Sequence, residues 1–318
     1  MRVLITGAAG FVGRHLAAHL FDEGRQEVWG LTRSSPAGTG LDSRVKLVAA
    51  DLCEKDAVQA AVAQVKPDAV YHLASQASVA RSLADPLATM LNNIVGQAHL
   101  LEACARHAPQ ARILVVGSNE EYGLTRPDEL PLRETNELRP ISPYAVSKVT
   151  QDLMGLQYFA THKLQIVRVR PFTHTGPGHQ DVFVTPAFAK QISEMEAGRR
   201  EHRMTVGYLE GQRDFTDVRD VVRGYRLLVE RGVAGEVYNL GSGVARSVRS
   251  ILDGLLALST ARPTIEVDPS KMRPLEVPVM YADCTKIEAA TGWKAEIPFE
   301  EMLRDVLDDW RTRVKAAG

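Results

Sequence analysis

The feature that most constrains the fold is a regular alternation of short apolar segments with helical segments over the first half of the 318-residue chain. The first of these segments, residues 2–6, has no polar alternation, which predicts a strand buried on both faces of a sheet. Helices between such strands indicate right-handed crossovers and parallel pairing. The predicted strands are residues 2–6, 27–32, 45–49, 69–73, 112–117 and 165–170, and the predicted helices are residues 11–23, 54–65, 86–107 and 143–162. We therefore predict an α/β fold with a doubly wound parallel sheet.

The first strand leads directly into a glycine-rich turn, Gly7 to Gly13, which opens the first helix. Glycines permit a tight turn, and they let backbone N–H groups approach a pyrophosphate at the helix N-terminus. An ordinary glycine-rich turn is the alternative, but this position at the first strand–helix junction favours a Rossmann-type dinucleotide site. The residues expected to contact the cofactor here are Gly7, Gly10, Phe11, Val12 and Gly13.

After Arg170 the alternation ends, and residues 171–180 form a segment rich in glycine, proline and histidine, which we predict to be a loop. The second half mixes helices with short strands, which is typical of a smaller mixed α/β domain that closes over a ligand. We expect residues 1–170, with about 211–246, to form the cofactor domain. Residues 171–210 and 247–318 would form the substrate domain.

The ends of the second, third and fourth strands indicate which cofactor is bound. A NAD site usually has an acidic residue about 20 residues after the glycine turn, for the ribose 2′-hydroxyl, but residues 31–34 contain none. Arg33 can pair with a 2′-phosphate, so NADP(H) is favoured, with NAD(H) and a merely solvated Arg33 as alternatives. We expect Asp51 and Leu52 to meet the adenine, and Leu73 and Ala74 to contact the cofactor ribose.

Tyr144 and Lys148 are four residues apart on a helix that Pro143 and a Ser142 cap would begin. An ammonium roughly 4 Å from a phenol, at an effective dielectric of about 20, would stabilise the phenolate by about 4 kcal/mol, or about three pKa units. This predicts that Lys148 lowers the pKa of Tyr144 and makes it a usable proton donor or acceptor. The same spacing occurs by chance on surface helices, so the surrounding motifs must support it. Both residues would also contact the cofactor.

The loop after the fifth strand, residues 117–123, lies at the carboxyl edge, where ligands bind in open α/β sheets. Here Ser118 could hydrogen-bond the substrate oxygen that Tyr144 protonates, and Glu120 is a candidate acid/base. The alternatives are a turn cap for Ser118 and a solvated face for Glu120 and Glu121.

This combination of a glycine turn, a serine after the fifth strand and the Tyr144–Lys148 pair resembles the extended short-chain dehydrogenase/reductase family. Asn92-Asn93-Ile-Val-Gly96 and the run Arg213 to Asp220 extend the resemblance over the whole chain. Within the family, the sequence is similar to the branch that acts on nucleoside-diphosphate sugars, above all the GDP-4-keto-6-deoxy-D-mannose reductases. The matching segments are residues 117–123, 139–148, 172–178, 183–192, 213–220 and 272–278.

The resemblance implies a GDP-sugar substrate and a set of contacts in the second half. Arg213 and Arg273 would hold the diphosphate, since arginine suits bidentate phosphate contact. Lys190 would contact the nucleotide end and Glu276 the ribose or base, and Ser118 and Glu120 would also touch the sugar. Thr173 stands where the related dehydratases commonly have asparagine. Surface ion pairs are the alternative for each charged residue.

The implied reaction is NAD(P)H-dependent reduction of the C4 ketone of GDP-4-dehydro-6-deoxy-D-mannose to GDP-D-rhamnose, for polysaccharide biosynthesis, with Tyr144 as the acid. GDP-mannose 4,6-dehydratase, or another nucleotide-sugar dehydratase or epimerase, is the alternative, because Glu120 occupies the place of the additional acid/base. Asn119, where dehydratases tend to have Ser or Asp, favours the reductase. A non-catalytic dinucleotide-binding protein is a remote alternative, since Ser118, Tyr144 and Lys148 are all present.

Bulk composition excludes several classes of function. There are 38 basic and 39 acidic residues, which argues against nucleic-acid binding. We expect no membrane span, no signal peptide and a cytoplasmic location. The three cysteines are far apart in sequence, so we expect packing residues and neither disulfides nor a metal site.

The resemblance to the extended short-chain dehydrogenase/reductase family also implies a homodimer, formed through the helices at 86–107 and 143–162.

Overall fold

The computed structural model describes residues 1–24, 27–33, 41–272 and 277–317. For Lys271 it describes the backbone and not the side chain. In its first half, the elements are β1 (Arg2–Thr6), α1 (Phe11–Asp22), β2 (Glu27–Thr32), β3 (Lys46–Ala49), α2 (Lys55–Val65), β4 (Ala69–His72), α3 (Val79–Ala84), α4 (Pro86–Met90), α5 (Gly96–His107), β5 (Arg112–Val116), α6 (Pro143–His162) and β6 (Gln165–Pro171). The alternation predicted from the sequence is confirmed.

The second half adds shorter strands between its helices. Its elements are β7 (Thr173–Thr175), α7 (Val184–Glu196), β8 (Arg203–Val206), β9 (Gln212–Asp217), α8 (Val218–Arg231), β10 (Val237–Leu240), β11 (Ala245–Ser247), α9 (Val248–Ala257), β12 (Thr264–Val267), β13 (Val279–Met280), α10 (Thr285–Thr291) and α11 (Phe299–Ala316).

The main sheet has seven strands in the order β10-β6-β5-β4-β1-β2-β3, and all its pairings are parallel. Val3 and Ile5 of β1 pack on one face with α1 and α8. The intervening Leu4 packs on the other face with α2 and α5. β1 is therefore buried on both faces, which explains its unbroken apolar sequence. The strand order reverses between β1 and β4, and such a switch point leaves a crevice at the carboxyl ends of the strands.

The helix predicted at residues 86–107 is not regular. A π-helical segment, Leu91–Val95, separates α4 from α5. At its centre the Asn93 carbonyl accepts a hydrogen bond from Gln151 Nε2 at 2.9 Å, and Asn93 Oδ1 accepts from the Gln76 N–H at 2.8 Å. Side chains that compete for backbone groups in this way favour a local widening of the helix.

The loop predicted at residues 171–180 contains a strand, β7, which pairs with β9. β9 also pairs with β11 and β13, so a second, four-stranded sheet forms from segments far apart in the chain. α7, α9 and α11 share an apolar cluster with β8 and β12. The prediction of a loop was wrong because strands of two or three residues carry no periodic signal.

All three cysteines are free; Cys104 is buried and Cys284 half-buried. Cys53 is exposed, so its assignment as a packing residue was wrong. None of the described helices has the length and apolar character needed to cross a membrane. Over the same part of the chain, no cluster of three or more His, Cys, Asp or Glu side chains has the arrangement of a metal site.

Candidate active site

The glycine turn is packed as closely as a dinucleotide site requires. Gly7 has a φ of +70°, and a Cβ added there would lie 3.0 Å from the backbone of Ala74. A Cβ at Gly13 would lie 2.4 Å from the Gly7 carbonyl oxygen. Only glycine fits at both positions without displacing the backbone. Gly10 is the N-cap of α1, with no side chain over the first turn, so this turn fits a pyrophosphate bound to backbone N–H groups.

The other predicted cofactor residues follow neighbouring strands of the same sheet edge. The Ala74 N–H donates to Thr6 Oγ1 at 3.1 Å, which holds residues 73–74 against the glycine turn. Asp51 Oδ1 accepts from the Cys53 N–H at 2.9 Å. Burial and Asp51 raise the pKa of the Cys53 thiol, and Arg33 opposes them. Arg33, after β2, and Asp51, after β3, therefore both lie close to Cys53.

Tyr144 and Lys148 lie in the first two turns of α6, which begins at Pro143 with Ser142 as its cap, as predicted. Both are buried, with Tyr144 8% and Lys148 4% exposed. Lys148 Nζ donates to the Val116 carbonyl at 2.8 Å and lies 6.0 Å from the centre of the Tyr144 ring. The ammonium is thus fixed to the end of β5, two residues before Ser118.

Burial determines the protonation of this pair. It raises the pKa of Tyr144 above the ordinary value, with Glu120 and Glu121 acting in the same direction and Ser118 against it. Burial lowers the pKa of Lys148 to about 8, although Glu121 raises it. The prediction that Lys148 lowers the pKa of Tyr144 is wrong for this structure, because removal from water raises this pKa and the ammonium lies 6.0 Å from the ring centre, farther than the prediction assumed. Tyr144 is therefore held as the neutral phenol.

Ser118 and Glu120 lie at the carboxyl end of β5, as predicted. Ser118 is buried, and its Oγ accepts from the Glu120 N–H at 3.2 Å, so the hydroxyl also serves as the cap that was its alternative role. Glu120 is half-buried. Asn119 is buried and its amide donates to Met280 Sδ at 2.8 Å.

The sequence reasoning missed a buried ion-pair network behind Ser118. Arg170 donates to Glu121 at 3.0 Å and to Asp152 at 2.5 Å. Arg168 donates to the other Asp152 oxygen at 2.6 Å. The solvated face considered for Glu121 is wrong, because this side chain is fully buried. The available signal was a pair of arginines, Arg168 and Arg170, within a predicted strand of the parallel sheet, since arginines buried there require buried carboxylates.

In the second half, β7 places Thr173 beside Phe215 of β9, the strand that carries Arg213. Arg213 Nη1 donates to the Val277 carbonyl at 2.8 Å. The structure thus brings Thr173 and Arg213 to one sheet. Arg273 and Glu276, which were also predicted to contact the substrate, lie outside the described residues.

Lys190 lies on α7, which is not part of this sheet. Its Nζ pairs with Asp181 at 2.7 Å and lies 5.8 Å from the Trp310 ring centre. It lines an open depression of about 480 Å³, together with Glu194, Arg199, Arg200, Trp310, Arg313, Val314 and Ala317. That lining contains no other predicted substrate residue, so the contact of Lys190 with the nucleotide stays a prediction.

Comparison with known proteins places this site in a family. The family model for GDP-mannose 4,6-dehydratase matches residues 4–306. The chain belongs to this family. It is also 34% identical over 314 residues, covering 99% of the chain and 98% of the relative, to the GDP-6-deoxy-D-mannose reductase of Pseudomonas aeruginosa. GDP-mannose 4,6 dehydratase 2 of Arabidopsis thaliana is 29% identical over 96% of the chain and 86% of the relative.

Solved structures of this family and its relatives share the fold. The structure of RMD from Pseudomonas aeruginosa, complexed with NADPH, has a TM-score of 0.86 and 34% identity, covering 98% of this chain and 99% of that one. The UDP-glucose 4-epimerase of Thermus thermophilus, complexed with NAD, has a TM-score of 0.87 and 28% identity, covering 98% and 99%. The Rossmann-type fold and the resemblance to the extended short-chain dehydrogenase/reductases are confirmed, and the protein is an oxidoreductase of that type.

The lowered pKa of Lys148 predicts a stability effect. At pH 7 the lysine is charged in both states, but its pKa is about 8 when folded and 10.5 in the unfolded reference. The buried charge therefore opposes folding. We expect Lys148→Met to raise the free energy of unfolding at pH 7 by about 1–3 kcal/mol.

The measurement is urea unfolding of both proteins between pH 6 and 10.5. The difference in the free energy of unfolding between the variant and the wild type should shrink as the pH rises through about 8 toward 10.5. Over this range Lys148 loses its proton in the folded chain before it does so in the unfolded chain. Lys190→Met is the matched control, since Lys190 has a carboxylate partner and a raised pKa, and it should not stabilise. A destabilised Lys148→Met protein at pH 7 would contradict the prediction.

Proposed function

We propose that this protein reduces the C4 ketone of GDP-4-dehydro-6-deoxy-D-mannose to GDP-D-rhamnose. The observation that carries the proposal is a neutral, buried Tyr144 beside Ser118 at the carboxyl edge of the sheet, in a chain similar over its full length to a GDP-6-deoxy-D-mannose reductase. A phenol held in its protonated form is a proton donor, which is what ketone reduction needs.

The proposed cofactor is NADPH, with NADH as the alternative. The glycine turn at residues 7–13 would hold the pyrophosphate, and Leu73 and Ala74 the ribose. Asp51 and Leu52 would contact the adenine. Arg33 is exposed at the end of β2, within reach of solvent and of a 2′-phosphate there. When bound, the reduced nicotinamide supplies the hydride for the ketone carbon.

Residues of the chain itself hydrogen-bond and protonate the oxygen of the ketone. Ser118 donates a hydrogen bond that orients the carbonyl, and Tyr144 transfers its phenolic proton to the developing alkoxide. Lys148, fixed to the Val116 carbonyl at 2.8 Å, places a positive charge beside the phenolate that remains. The charge costs free energy in the resting state and is compensated when Tyr144 becomes an anion.

The reductase is favoured over a 4,6-dehydratase by the residues around Ser118. A dehydratase must also remove the C5 proton and expel the C6 hydroxyl, which calls for further acid/base groups. Asn119 cannot transfer a proton near neutral pH, and its amide is turned to Met280. Glu120 is the remaining candidate for these acid/base steps. A single carboxyl group supports dehydration less well than the two acid/base groups that removal of the C5 proton and loss of the C6 hydroxyl call for.

The proposed substrate contacts follow the same division of the chain except at Arg213 on β9, which lies in the cofactor range. Residues 1–170 with about 211–246 would bind the cofactor, and residues 171–210 with 247–318 the GDP-sugar. The apolar cluster of α7, α9 and α11 is separate from the clusters on the main sheet, which supports this division, and it also takes in Phe215 of β9. Arg213, Arg273, Lys190 and Glu276 would bind the GDP, and Thr173 the sugar. We place the reaction in the cytoplasm, in polysaccharide biosynthesis.

We propose that the protein is a homodimer. α4 and α6 pack together and both expose leucines, with Leu87 68% and Leu153 52% exposed. Leu83, at the end of α3, and Leu91, at the start of the π-helical segment, are exposed as well. An apolar surface of this kind marks a protein contact, and a second copy of the same helices would cover it with twofold symmetry.

The function predicts opposite outcomes for two substitutions. Tyr144→Phe should lower kcat for NADPH oxidation with GDP-4-dehydro-6-deoxy-D-mannose by about 100-fold or more, because the proton donor is lost. Glu120→Gln should keep most of the rate, because reduction needs no second acid/base.

The assay follows absorbance at the nicotinamide band, with chromatography to identify the product. GDP-mannose without the ketone is the control substrate and should leave NADPH unchanged. Dehydration of GDP-mannose, with neither NADPH nor NADH consumed by the ketone, would contradict the reductase.

The cofactor assignment predicts that Arg33→Ala raises KM for NADPH by about 10-fold or more and leaves KM for NADH within about 2-fold. A hydrogen-bonded charge contact is worth about 1.5–3 kcal/mol, and only NADPH carries the 2′-phosphate. Arg44→Ala is the control, since Arg44 is exposed and paired with Asp42. Equal effects on the two cofactors would refute the role of Arg33.

The dimer predicts that Leu87→Asp combined with Leu153→Asp yields a single-chain particle, whereas the wild type sediments with the mass of two chains. Two carboxylates cannot be buried unpaired in an apolar contact. Val233→Asp is the control, since Val233 is 59% exposed elsewhere. Sedimentation equilibrium measures the mass, and a wild-type mass of one chain would exclude the dimer.

A further inference from the structure

We propose that Glu121 is a positioning residue that makes Ser118 a hydrogen-bond donor to the substrate ketone. Ser118 and Glu121 form a reciprocal capping box around one turn of 3₁₀ helix, Asn119–Glu121. Glu121 Oε1 accepts from the Ser118 N–H at 2.7 Å. This inference rests on the proposed reductase activity and adds to it a residue that does not itself touch the substrate.

The capping box determines which hydrogen bonds the Ser118 hydroxyl can make to a substrate. Its oxygen accepts from the Glu120 N–H at 3.2 Å. Its Oγ lies 3.5 Å from Asn119 Oδ1, which is longer than a normal hydroxyl hydrogen bond. The hydroxyl also hydrogen-bonds the Tyr144 side chain, which opposes the rise in the pKa of the phenol. A ketone oxygen bound beside this pair would therefore accept from both the Ser118 and the Tyr144 hydroxyl groups.

Glu121 is itself held from behind. Its second oxygen accepts from Arg170 Nε at 3.0 Å. Arg170 also bonds Asp152 at 2.5 Å, and Asp152 lies on α6 one turn after Lys148. Burial, and next the neighbouring Asp152, raise the pKa of Glu121 to about 8, whereas Arg170 and the Ser118 N–H oppose this rise. Both Glu121 oxygens accept from N–H donors, and this geometry favours the ionised carboxylate. One carboxylate thereby connects the Ser118 loop to the helix that carries Tyr144 and Lys148.

The close fit of the carboxylate argues for a positional role. A Cβ at Gly117 would lie 2.2 Å from Glu121 Oε1, so the residue before Ser118 has no room for a side chain. A leucine at position 121 would fill the buried space without an ionised group, and buried ion pairs are weak contributors to stability. What the carboxylate adds is a fixed Ser118 and a negative charge.

The charge acts on the proton donor. Glu121 raises the pKa of both Lys148 and Tyr144. The titratable and charged groups facing Glu121 are Arg170 from β6, Asp152, Tyr144 and Lys148 from α6, and Tyr122 and Glu120 beside it in the loop. Loss of the negative charge should therefore lower the pH at which Lys148 loses its proton, which is about 8 in the intact protein.

Two variants separate position from charge. Glu121→Gln keeps the length and removes the charge; we expect kcat to fall about 10-fold or more, KM for NADPH to change less than about 3-fold, and the alkaline limb of kcat to move about half a pH unit or more lower. Glu121→Asp keeps the charge but is one methylene short; kcat should fall similarly with the alkaline limb unmoved. The aspartate retains a partner for Arg170, so it remains testable if the glutamine variant does not fold.

Glu134→Gln is the matched control, since Glu134 accepts from the Asn239 N–H in the same region but does not contact Ser118. It should leave kcat and the pH profile unchanged. Rates are normalised to NADPH-binding sites, so lost folding alone does not lower kcat. A wild-type kcat and pH profile in either folded Glu121 variant would overturn the inference. A wild type inactive on the ketone would instead refute the proposed function.

Discussion

The pairing of two buried arginines constrains the arrangement of the candidate site. Arg168 and Arg170 lie in β6, between β5 and β10, where an unpaired guanidinium would cost several kcal/mol. Asp152 supplies a carboxylate oxygen to each of them. Because Asp152 is one turn after Lys148, these ion pairs fix the rotation of α6 about its axis. The same rotation turns Lys148 toward β5 and leaves Tyr144 beside the Ser118 loop.

Enclosure of the site by protein then determines its acid–base chemistry. A four-residue spacing places two side chains on the same helix face, but it does not say how much water remains around them. Here the loss of water raises the pKa of Tyr144 and lowers that of Lys148. The resting pair is accordingly a phenol beside an ammonium that is easily deprotonated. Such a pair is suited to giving a proton to an alkoxide, which is the direction of ketone reduction.

The sequence was sufficient for features that depend on local pattern and insufficient for those that depend on distant partners. The strands of the main sheet and the glycine turn were predictable because each carries its own apolar or glycine signal. β7 has three residues and pairs with β9 about 40 residues later, so its sequence alone does not mark it as a strand. Glu120 and Glu121 are chemically identical neighbours, and only the fold, through Arg170, shows that one of them is buried.

A second buried carboxylate organises the other end of the proposed substrate site. Asp214, next to Arg213 on β9, accepts from the N–H groups of Ser242 at 2.6 Å, Gly243 at 2.9 Å and Ala282 at 3.2 Å. It thereby joins two separate segments, residues 242–243 and residue 282, to the strand that carries Arg213. The proton donor depends on the Arg170 network and the proposed phosphate contact on Asp214. The two carboxylate systems do not share a residue. A change at Asp214 can therefore alter nucleotide affinity without moving Tyr144, and a change in the Arg170 network can move Tyr144 without altering nucleotide affinity.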